Sequence, residues 1–388
     1  MQEFKEILTQ LRAEGLYRAL LQIDSEASAT VRLQGRDVLV FCANNYLGLA
    51  NDARLKKAAT EAIEAWGSGA GAARLVSGNI GLYGAVEKKL AQCKGTAAAL
   101  VFSTGYMANL GAIGAIVKKG DLILADRLNH ASLVDACRLS DARFRVYRHR
   151  DTAQLEMLLQ KRNAGQNVLI VSDGVFSMEG DIAPLPEILR LADYYDAQVY
   201  LDDAHATGVL GENGGGTAAH FGCSSARLIQ MGTFSKALGG FGGFVAGTED
   251  LIHLLINKAR PFIYTTALPA SVLASALAAL ELFQNDPSLI QQLWRNRAYF
   301  VQKISELGFD ILGSETPIVP LLIGSPEKAL LFSKQLLEKD ILVSAIRPPT
   351  VPKGTARLRV TLMASHTKEQ IDVLLHELEC IGQRLKVI

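Results

Sequence analysis

One lysine stands alone in a glycine-rich segment of the sequence. Lys236 lies within MGTFSKALGGFGG (231–243), where it is the only charged residue and is accompanied by five glycines. A lysine that is shielded from other charges beyond an apolar strand can have a lowered pKa, and its neutral amine forms Schiff bases with carbonyl groups. We expect the glycines, which lack a Cβ, to let a cofactor or substrate approach the backbone. The alternative is a strand-end lysine that reaches solvent.

Carboxylate and imidazole side chains follow other apolar runs. VYLDDAH ends in Asp202, Asp203 and His205, and LILADRLNHAS places His130 after a further run. A Schiff-base lysine together with a carboxylate that pairs with a pyridinium nitrogen is the pattern expected for pyridoxal 5′-phosphate (PLP). Helix capping by Asp202 or His130, and ordinary packing of His205, are the structural alternatives.

A possible anion site lies elsewhere in the sequence. STGYMAN (103–109) follows an apolar run and opens a helical pattern, with Gly105 and Tyr106 at the transition. This arrangement directs backbone N–H groups at an anion such as a phosphate. Ser177 and Thr233 add hydroxyl groups at two further strand ends, although each taken singly is an ordinary turn residue.

Several common sites are excluded by the sequence itself. It contains no Gly-Lys dipeptide, so it has no Walker A loop, and the Gly-x-Gly-x-x-Gly, Gly-x-Ser-x-Gly and His-Glu-x-x-His patterns are missing. Asp202, Asp203 and His205 could ligate a metal, but no second histidine cluster or further ligand set accompanies them. We therefore expect no metal.

The elements that must position these side chains are predicted by apolar periodicity. Between about residues 95 and 250, short β-rich runs alternate with helical patterns, which predicts an α/β fold with a mostly parallel sheet covered on both faces. Ligands bind beyond the carboxyl ends of such strands. We divide the chain into an N-terminal arm with part of a small domain (1–50), a large domain (51–283) and a C-terminal α+β small domain (284–388).

Composition limits the binding partners. Forty basic residues against 39 acidic ones leave no bulk charge for nucleic acid or an anionic membrane, so we expect small-molecule ligands. Five scattered cysteines without a Cys-x-x-Cys pair favour a reducing compartment, and no apolar signal core opens the sequence, so we predict a cytoplasmic protein. The apolar stretch 267–283 is shorter than the roughly 20 residues of a membrane span, and we expect a buried helix there.

From roughly residue 35 to residue 380 the sequence resembles the α-oxoamine synthases, a branch of the fold-type I PLP enzymes. The resemblance rests on NNYLGLA, LVSGN, STGYMAN, DRLNHASLVDA, SDGVFSMEGD, LDDAHATGVLGENGGG, GTFSKALGGFGG and IRPPTVPKGTARLRVT. It implies a PLP-dependent acyltransferase with a large, mostly parallel sheet domain and a small α+β domain. It also implies a homodimer with shared active sites.

The resemblance further implies roles for single residues. Lys236 would hold PLP through a Schiff base, with Asp202 on the pyridine nitrogen, His205 on the ring hydroxyl and His130 stacked on the ring. The other groups implied around the ring and phosphate are Gly105, Tyr106, Ser177 and Thr233, joined by Thr265 or Thr266 of the second subunit. The groups implied near the amino-acid carboxylate are Asn44 and Arg359, with Arg347 as a helper.

Branches of this family differ in their substrates. AIRPPTVPKGTARLRVTL and GDIAPL favour the branch that condenses L-alanine with a pimeloyl thioester in biotin synthesis. FCANNYLGLAN and LNHASLVDACRL are closer to the branch that uses glycine and acetyl-CoA, which stays the alternative. GSGAGAARLVSG departs from the first branch at Ala72 and Ala73. CoA and a carrier protein present the same thioester, and a PLP-binding regulator without turnover is the alternative of another class.

Overall fold

The computed structural model describes residues 3–14 and 16–388. The strands of this part of the chain are β1 Thr30–Leu33, β2 Arg36–Val40, β3 Ala98–Phe102, β4 Leu122–Asp126, β5 Arg143–Tyr147, β6 Val168–Asp173, β7 Gln198–Asp202, β8 Leu228–Thr233, β9 Gly243–Gly247, β10 Ile318–Gly324, β11 Ile341–Leu342, β12 Ser344–Ile346 and β13 Ala356–Thr361. Its α-helices are α1 Phe4–Ala13, α2 Ala53–Trp66, α3 Gly81–Lys94, α4 Gly105–Ile116, α5 Ala131–Leu139, α6 Thr152–Gln160, α7 Leu185–Tyr194, α8 Thr217–His220, α9 Glu249–Lys258, α10 Arg260–Ile263, α11 Ala270–Asn285, α12 Ser288–Glu306, α13 Pro326–Glu338 and α14 Lys368–Arg384. A 3₁₀ turn (Leu49–Asn51) and a π-helical turn (Arg74–Gly78) complete the elements.

Seven strands form the large sheet, in the order β3-β9-β8-β7-β6-β4-β5. Only β9 runs antiparallel to its neighbours, so the predicted mostly parallel sheet is confirmed within the described chain. All residues of β4, β6, β8 and β9 are buried. Their continuous apolar sequences are typical of parallel strands that helices cover on both faces.

Two groups of helices cover the faces of the large sheet. Apolar residues of α4, α5, α9 and α10 pack on one face with β3, β4 and β8. Those of α6 and α7 pack on the other face with β4, β6 and β7. The apolar stretch expected to form a buried helix is α11, which packs against α2 and α3. Of the described helices, none combines the length and the apolar character that a membrane crossing requires.

Two smaller sheets lie outside the large one. The first has the order β10-β13-β12, and the second, β1-β2-β11, pairs strands from the two ends of the chain. The sequence analysis assigned residues 1–50 to an N-terminal arm with part of a small domain and predicted no hairpin there, so the β1–β2 hairpin was missed. Its turn is Gln34–Gly35, and both residues have positive φ (51° and 78°), as in the hairpin turns that match strand twist. The proposed division at residues 50 and 283 stays a prediction.

A polar cluster links the large sheet to the segment before β10. His149 lies between Asp126 Oδ1 (3.0 Å from Nδ1) and Asp181 Oδ2 (2.8 Å from Nε2). Arg150 also contacts Asp181 and reaches Glu315 Oε1 at 2.8 Å. Burial lowers the pKa of His149, but the hydrogen bonds and charges of the two aspartates outweigh it and raise that pKa to about 9. His149 is therefore protonated at neutral pH.

Candidate active site

The carboxyl ends of β6, β7 and β8 meet at one edge of the large sheet. Asp173 ends β6 and Asp202 ends β7, and the two are register partners. Lys236 follows the end of β8, Thr233, by three residues. The strand-end rule thus brings together an amine and two carboxylates that are distant in the sequence.

The Lys236 amine has a lowered pKa. Its side chain is partly buried, and within the described chain it makes no hydrogen bond or ion pair. Burial lowers the pKa of Lys236 to about 8, although the negative charges of Asp202 and Asp173 oppose that effect. An amine with this pKa is partly neutral near physiological pH and can attack a carbonyl carbon.

The two adjacent aspartates have different surroundings. Asp202 Oδ2 accepts a hydrogen bond from Asn109 Nδ2 (2.7 Å), and its Oδ1 accepts one from the backbone of Ala204 (2.9 Å). Asp203 instead forms a fully buried ion pair with Lys94 at 2.8 Å. The described residues contain no cluster of three or more His, Cys, Asp or Glu side chains that could hold a metal ion.

Asp173 and His130 are joined through the backbone. The His130 N–H donates to Asp173 Oδ2 at 2.6 Å. Burial, followed by the nearby charge of Asp202, raises the pKa of Asp173 well above its usual range. His130 is the N-cap of α5, so its capping alternative describes a real contact, and its side chain remains accessible for a second contact.

His205 is held by a tyrosine that the sequence analysis did not single out. Tyr46 Oη lies 2.6 Å from His205 Nδ1, and both residues are buried. Burial raises the pKa of Tyr46 to about 12, and burial also lowers the pKa of His205 well below its usual range. A protonated phenol therefore donates to a neutral imidazole, which places the imidazole proton on Nε2.

The start of α4 has the helix-terminus geometry on which the anion site expected from STGYMAN depends, and that site stays a prediction. The Thr104 hydroxyl caps the helix by accepting from the Met107 N–H at 3.1 Å. The N–H groups of Gly105 and Tyr106 come before it, at a helix terminus that lacks intrahelical acceptors. Thr233 lies beside Gly105. A Cβ placed on that glycine would be 3.6 Å from Thr233 Cβ.

Two of the glycines after Lys236 are required by the close approach of other backbone segments. A Cβ on Gly239 would stand 2.4 Å from the backbone nitrogen of Ala50, and a Cβ on Gly243 would stand 2.7 Å from Gly105. These two glycines therefore admit other segments of the protein backbone, and the expected approach of a cofactor or substrate to this segment stays a prediction. Gly243 allows β9 to pack directly against the start of α4.

Three further predicted residues lie at the rim of this region. Tyr106 is half-exposed, and its hydroxyl donates to Asp135 Oδ2. Thr265 and Thr266 follow α10, and the Thr266 carbonyl accepts from Ser103 Oγ at 3.4 Å. Within the described chain no hydrogen bond joins either threonine to Lys236 or Asp202, so their predicted service to a second subunit stays a prediction.

Arg359 joins two of the other predicted residues. It lies in β13 and is only 5% exposed. Its Nε donates to the Ser177 carbonyl (2.5 Å), Nη1 to Thr361 Oγ1 (3.0 Å) and Nη2 to Asn44 Oδ1 (3.1 Å). These bonds use three of the five guanidinium N–H groups, so N–H groups remain for a substrate carboxylate. Arg347 follows β12, and its role as a helper stays a prediction.

Three residues of the region had no predicted role. Asp173 could have been assigned one, because it ends an apolar strand as Asp202 does. Tyr46 and Asn109 gave only a weak signal, since each lies in a motif whose other members carried the interpretation. Their importance follows from contacts with partners 159 and 93 residues away along the chain.

The amino-acid sequence matches a known protein family and curated relatives over nearly its whole length. A family model described as aminotransferase class I and II matches residues 36–378. The chain is 50% identical over 383 residues to an 8-amino-7-oxononanoate synthase of Geobacter sulfurreducens, covering 98% of both chains. It is 47% identical to one of Thermoanaerobacter pseudethanolicus, covering 99% of this chain and 98% of the other.

Solved structures of two differently named enzymes are similar to this fold. A serine palmitoyltransferase variant from S. paucimobilis with a bound PLP–myriocin aldimine matches with a TM-score of 0.94 and 31% identity, covering 99% of this chain and 98% of the other. An 8-amino-7-oxononanoate synthase from Francisella tularensis matches with a TM-score of 0.78 and 30% identity, covering 90% of this chain and 98% of the other.

Proposed function

The chain belongs to the aminotransferase class I and II family, and from that premise we propose that it is an 8-amino-7-oxononanoate synthase with PLP as its cofactor. It is an α-oxoamine synthase that joins L-alanine to a pimeloyl thioester in biotin biosynthesis. The observation that carries this conclusion is the 50% identity to a synthase of that name across 98% of both chains. The glycine-using alternative and the regulator without turnover are not favoured.

The side chains at the strand ends fit the cofactor. An aldehyde needs an amine, and Lys236 supplies one with a pKa of about 8. A protonated ring nitrogen needs a carboxylate, and Asp202 offers one that Asn109 already holds in place. A phosphate needs N–H donors at a helix terminus, and Gly105 lies at the start of α4. When bound, PLP supplies an electron sink for the pair released at the substrate Cα.

We assign the amino-acid carboxylate to Arg359. Its guanidinium is oriented by Ser177 and Asn44, and its remaining N–H groups suit a planar, two-pronged contact with a carboxylate. The contact fixes the position of the alanine Cα relative to the Lys236 amine. Arg347 is the second candidate for this carboxylate.

Lys236 moves the proton in the proposed reaction. Its amine takes the Cα proton of alanine, and the electron pair of that C–H bond becomes available for a new bond. The alanine Cα then bonds to the thioester carbonyl carbon, the C–S bond breaks, and the thiolate leaves and takes a proton from solvent. The former alanine carboxylate departs as carbon dioxide, and the Lys236 ammonium returns a proton to Cα. The products are 8-amino-7-oxononanoate, carbon dioxide and a free thiol.

Two histidines complete the assignment. With its proton on Nε2, His205 can donate to the cofactor's ring oxygen, and Tyr46 keeps it in that form. His130 is accessible beside Asp173 and is assigned to the face of the ring. Ser177, Thr233 and Tyr106 stand nearby as proposed contacts of the ring and phosphate.

We also propose that the active species is a homodimer. Large apolar side chains are exposed on adjoining segments: Trp66 at the end of α2, Leu75 and Val76 in the π-helical turn, Phe241 after Lys236 and Tyr264 after α10. The segment just before the turn and the segment after α10 are linked by the Ala267 N–H, which donates to the Ala72 carbonyl at 3.0 Å. Exposed apolar surface of this extent is typical of a protein interface. Thr265 and Thr266 lie in the same region and are assigned to the second subunit's phosphate.

We propose that the enzyme is cytoplasmic, because its cysteines are not paired in disulfides. All five are free thiols, namely Cys42, Cys93, Cys137, Cys223 and Cys380. A reducing compartment maintains thiols in this state.

A substrate panel tests the proposed function. Alanine, glycine and serine are each combined with pimeloyl-CoA and acetyl-CoA, and thiol release and product mass are measured, with Lys236→Ala as the control. We expect turnover with alanine and the pimeloyl donor. Turnover restricted to glycine and acetyl-CoA would overturn the substrate assignment, and bound PLP without turnover of any pair would favour a regulator. A parallel arm with a pimeloyl-carrier protein identifies the acyl carrier.

A further inference from the structure

A hydrogen-bond network that is buried except at His130 surrounds the Asp202 carboxylate. Asn109 of α4 is completely buried, and its Nδ2 donates both to Asp202 Oδ2 (2.7 Å) and to Ser132 Oγ (2.8 Å). Tyr200 Oη, also completely buried, donates to Asn109 Oδ1 at 3.0 Å. Ser132 Oγ lies 2.7 Å from His130 Nδ1. These hydrogen bonds form a network that connects Tyr200, Asn109, Asp202, Ser132 and His130.

The chemistry of the groups fixes the direction of every bond. A carboxylate accepts only, so the Asn109 NH₂ group must face Asp202 and its carbonyl oxygen must face Tyr200. Burial raises the pKa of Tyr200 well above its usual range, so its hydroxyl keeps the proton that it donates. Ser132 accepts from Asn109, and its own proton is then directed at His130 Nδ1. With both N–H groups and the carbonyl used, Asn109 has a single satisfied orientation.

We propose that Asn109 is the positioning residue that sets the orientation of the Asp202 carboxylate toward the ring nitrogen of PLP, and that Tyr200 holds Asn109 in place. This inference rests on the proposed cofactor. A carboxylate held in position beside the ring nitrogen favours the protonated form of the ring. Through Ser132 the same amide also orients His130, so the two groups assigned to the ring are set by one side chain.

The test compares full-length variants stripped of PLP and titrated with it. Asn109→Leu keeps the branched shape of the side chain but cannot donate, and we expect its PLP dissociation constant to rise about tenfold or more. We also expect the pH midpoint of the bound cofactor's visible absorbance to rise by about one unit. A protonated ring lowers the pKa of the Schiff-base nitrogen, and this effect weakens when the ring is less protonated. Melting temperatures of the apoproteins report whether each variant folds.

A matched pair of tyrosines supplies the control. Tyr200→Phe removes only the contact with Asn109 Oδ1, and we expect a smaller change of the same sign, about threefold in affinity. Tyr147→Phe removes another fully buried hydroxyl from the same sheet and leaves both readouts at wild-type values. Wild-type affinity and midpoint in folded Asn109→Leu would overturn the inference. Should that variant fail to fold, equality of Tyr200→Phe and Tyr147→Phe overturns it, whereas a wild-type protein that does not bind PLP refutes the proposed function itself.

Discussion

Tyr46 and His205 are 159 residues apart in the sequence, yet their side chains share a buried hydrogen bond of 2.6 Å between Oη and Nδ1. The Tyr46 phenol is the hydrogen-bond donor, since burial raises its pKa to about 12. The imidazole is neutral, since burial lowers its pKa well below the usual range. The bond therefore selects one imidazole tautomer before any ligand binds.

Removing the Tyr46 hydroxyl tests this selection. Tyr46→Phe leaves Nδ1 free, so His205 populates both tautomers and donates less effectively to the cofactor's ring oxygen. We expect PLP affinity to fall by up to about tenfold, the value of one neutral hydrogen bond. Titration of the apoprotein with PLP measures it, with exposed Tyr194→Phe as the control. Equal affinity in both variants would remove Tyr46 from the site.

The Lys236 pKa of about 8 predicts how covalent attachment of PLP depends on pH. Only the neutral amine attacks the aldehyde, so the rate of attachment to apoprotein rises with pH up to about 8 and then levels off. Stopped-flow absorbance measures the rate, and borohydride should fix the label to the peptide that contains Lys236. Lys236→Ala should bind PLP without a covalent bond and form no product. A midpoint near the ordinary 10.5, or a label on another lysine, would contradict the assignment.

Arg359 should control the affinity for alanine. Loss of one partner of a desolvated charge pair costs about 2–5 kcal/mol, which is roughly 30-fold or more in affinity. Arg359→Ala should therefore weaken alanine binding by that factor, and Arg359→Lys should recover only part of it. Alanine titrations followed by cofactor absorbance measure the effect. Arg357→Ala removes a buried guanidinium on the same strand that pairs with Glu179, and we expect a smaller change in alanine affinity. Unchanged affinity in Arg359→Ala would shift the carboxylate site to Arg347.

His149 should make stability depend on pH in a defined direction. Its folded pKa of about 9 exceeds the ordinary 6.5, so the native state binds its proton more tightly. This contribution is fully present below about pH 6.5 and is lost as pH rises through 9. His149→Gln should lower the free energy of unfolding by on the order of 2–3 kcal/mol at pH 6 and by much less at pH 9.5. Urea unfolding at both pH values measures it, and a deficit independent of pH would contradict the ion-pair explanation.

Disrupting the exposed apolar segments should separate the subunits. Val76 is 80% exposed, and Val76→Asp places a charge where the proposed interface needs apolar contact. We expect a monomer with little synthase activity, because the second subunit's threonines would be absent. Leu139→Asp changes a similarly exposed residue of α5 and should stay dimeric. Light scattering at assay concentrations measures the mass, and a fully active monomeric wild type would refute the proposal.

The sequence predicted the large sheet well because its strands are buried on both faces and appear as continuous apolar runs. The strand-end positions of Asp202 and Lys236 were predictable for the same reason, since Asp202 ends such a run and Lys236 follows one by three residues. Their roles stay predictions. The β1–β2 hairpin was missed, although its Gln34–Gly35 turn separates apolar residues that alternate with polar ones, as in Val31 and Leu33.

The supporting contacts could not be predicted in this way. Neither Asn109 nor Tyr46 has a local pattern that indicates its partner, because both hydrogen bonds join elements that are remote in the sequence. Gly239 and Gly243 show the same limit. Their lack of a Cβ was visible in the sequence, but the neighbouring backbones that require it became apparent only in the fold.

Pairing of β11 with β2 has a consequence for how the protein is made. Val40 pairs with Leu342, and the ribosome adds Leu342 about 300 residues after Val40. At 5–20 residues per second, that interval is on the order of 15 to 60 s. During this time β2 presents an unpaired edge next to a nascent large sheet, and such edges attract other strands. Translation speed and chaperone access in that window should therefore influence the yield of native enzyme, and removal of the last fifty residues should leave the amino-terminal hairpin without a partner.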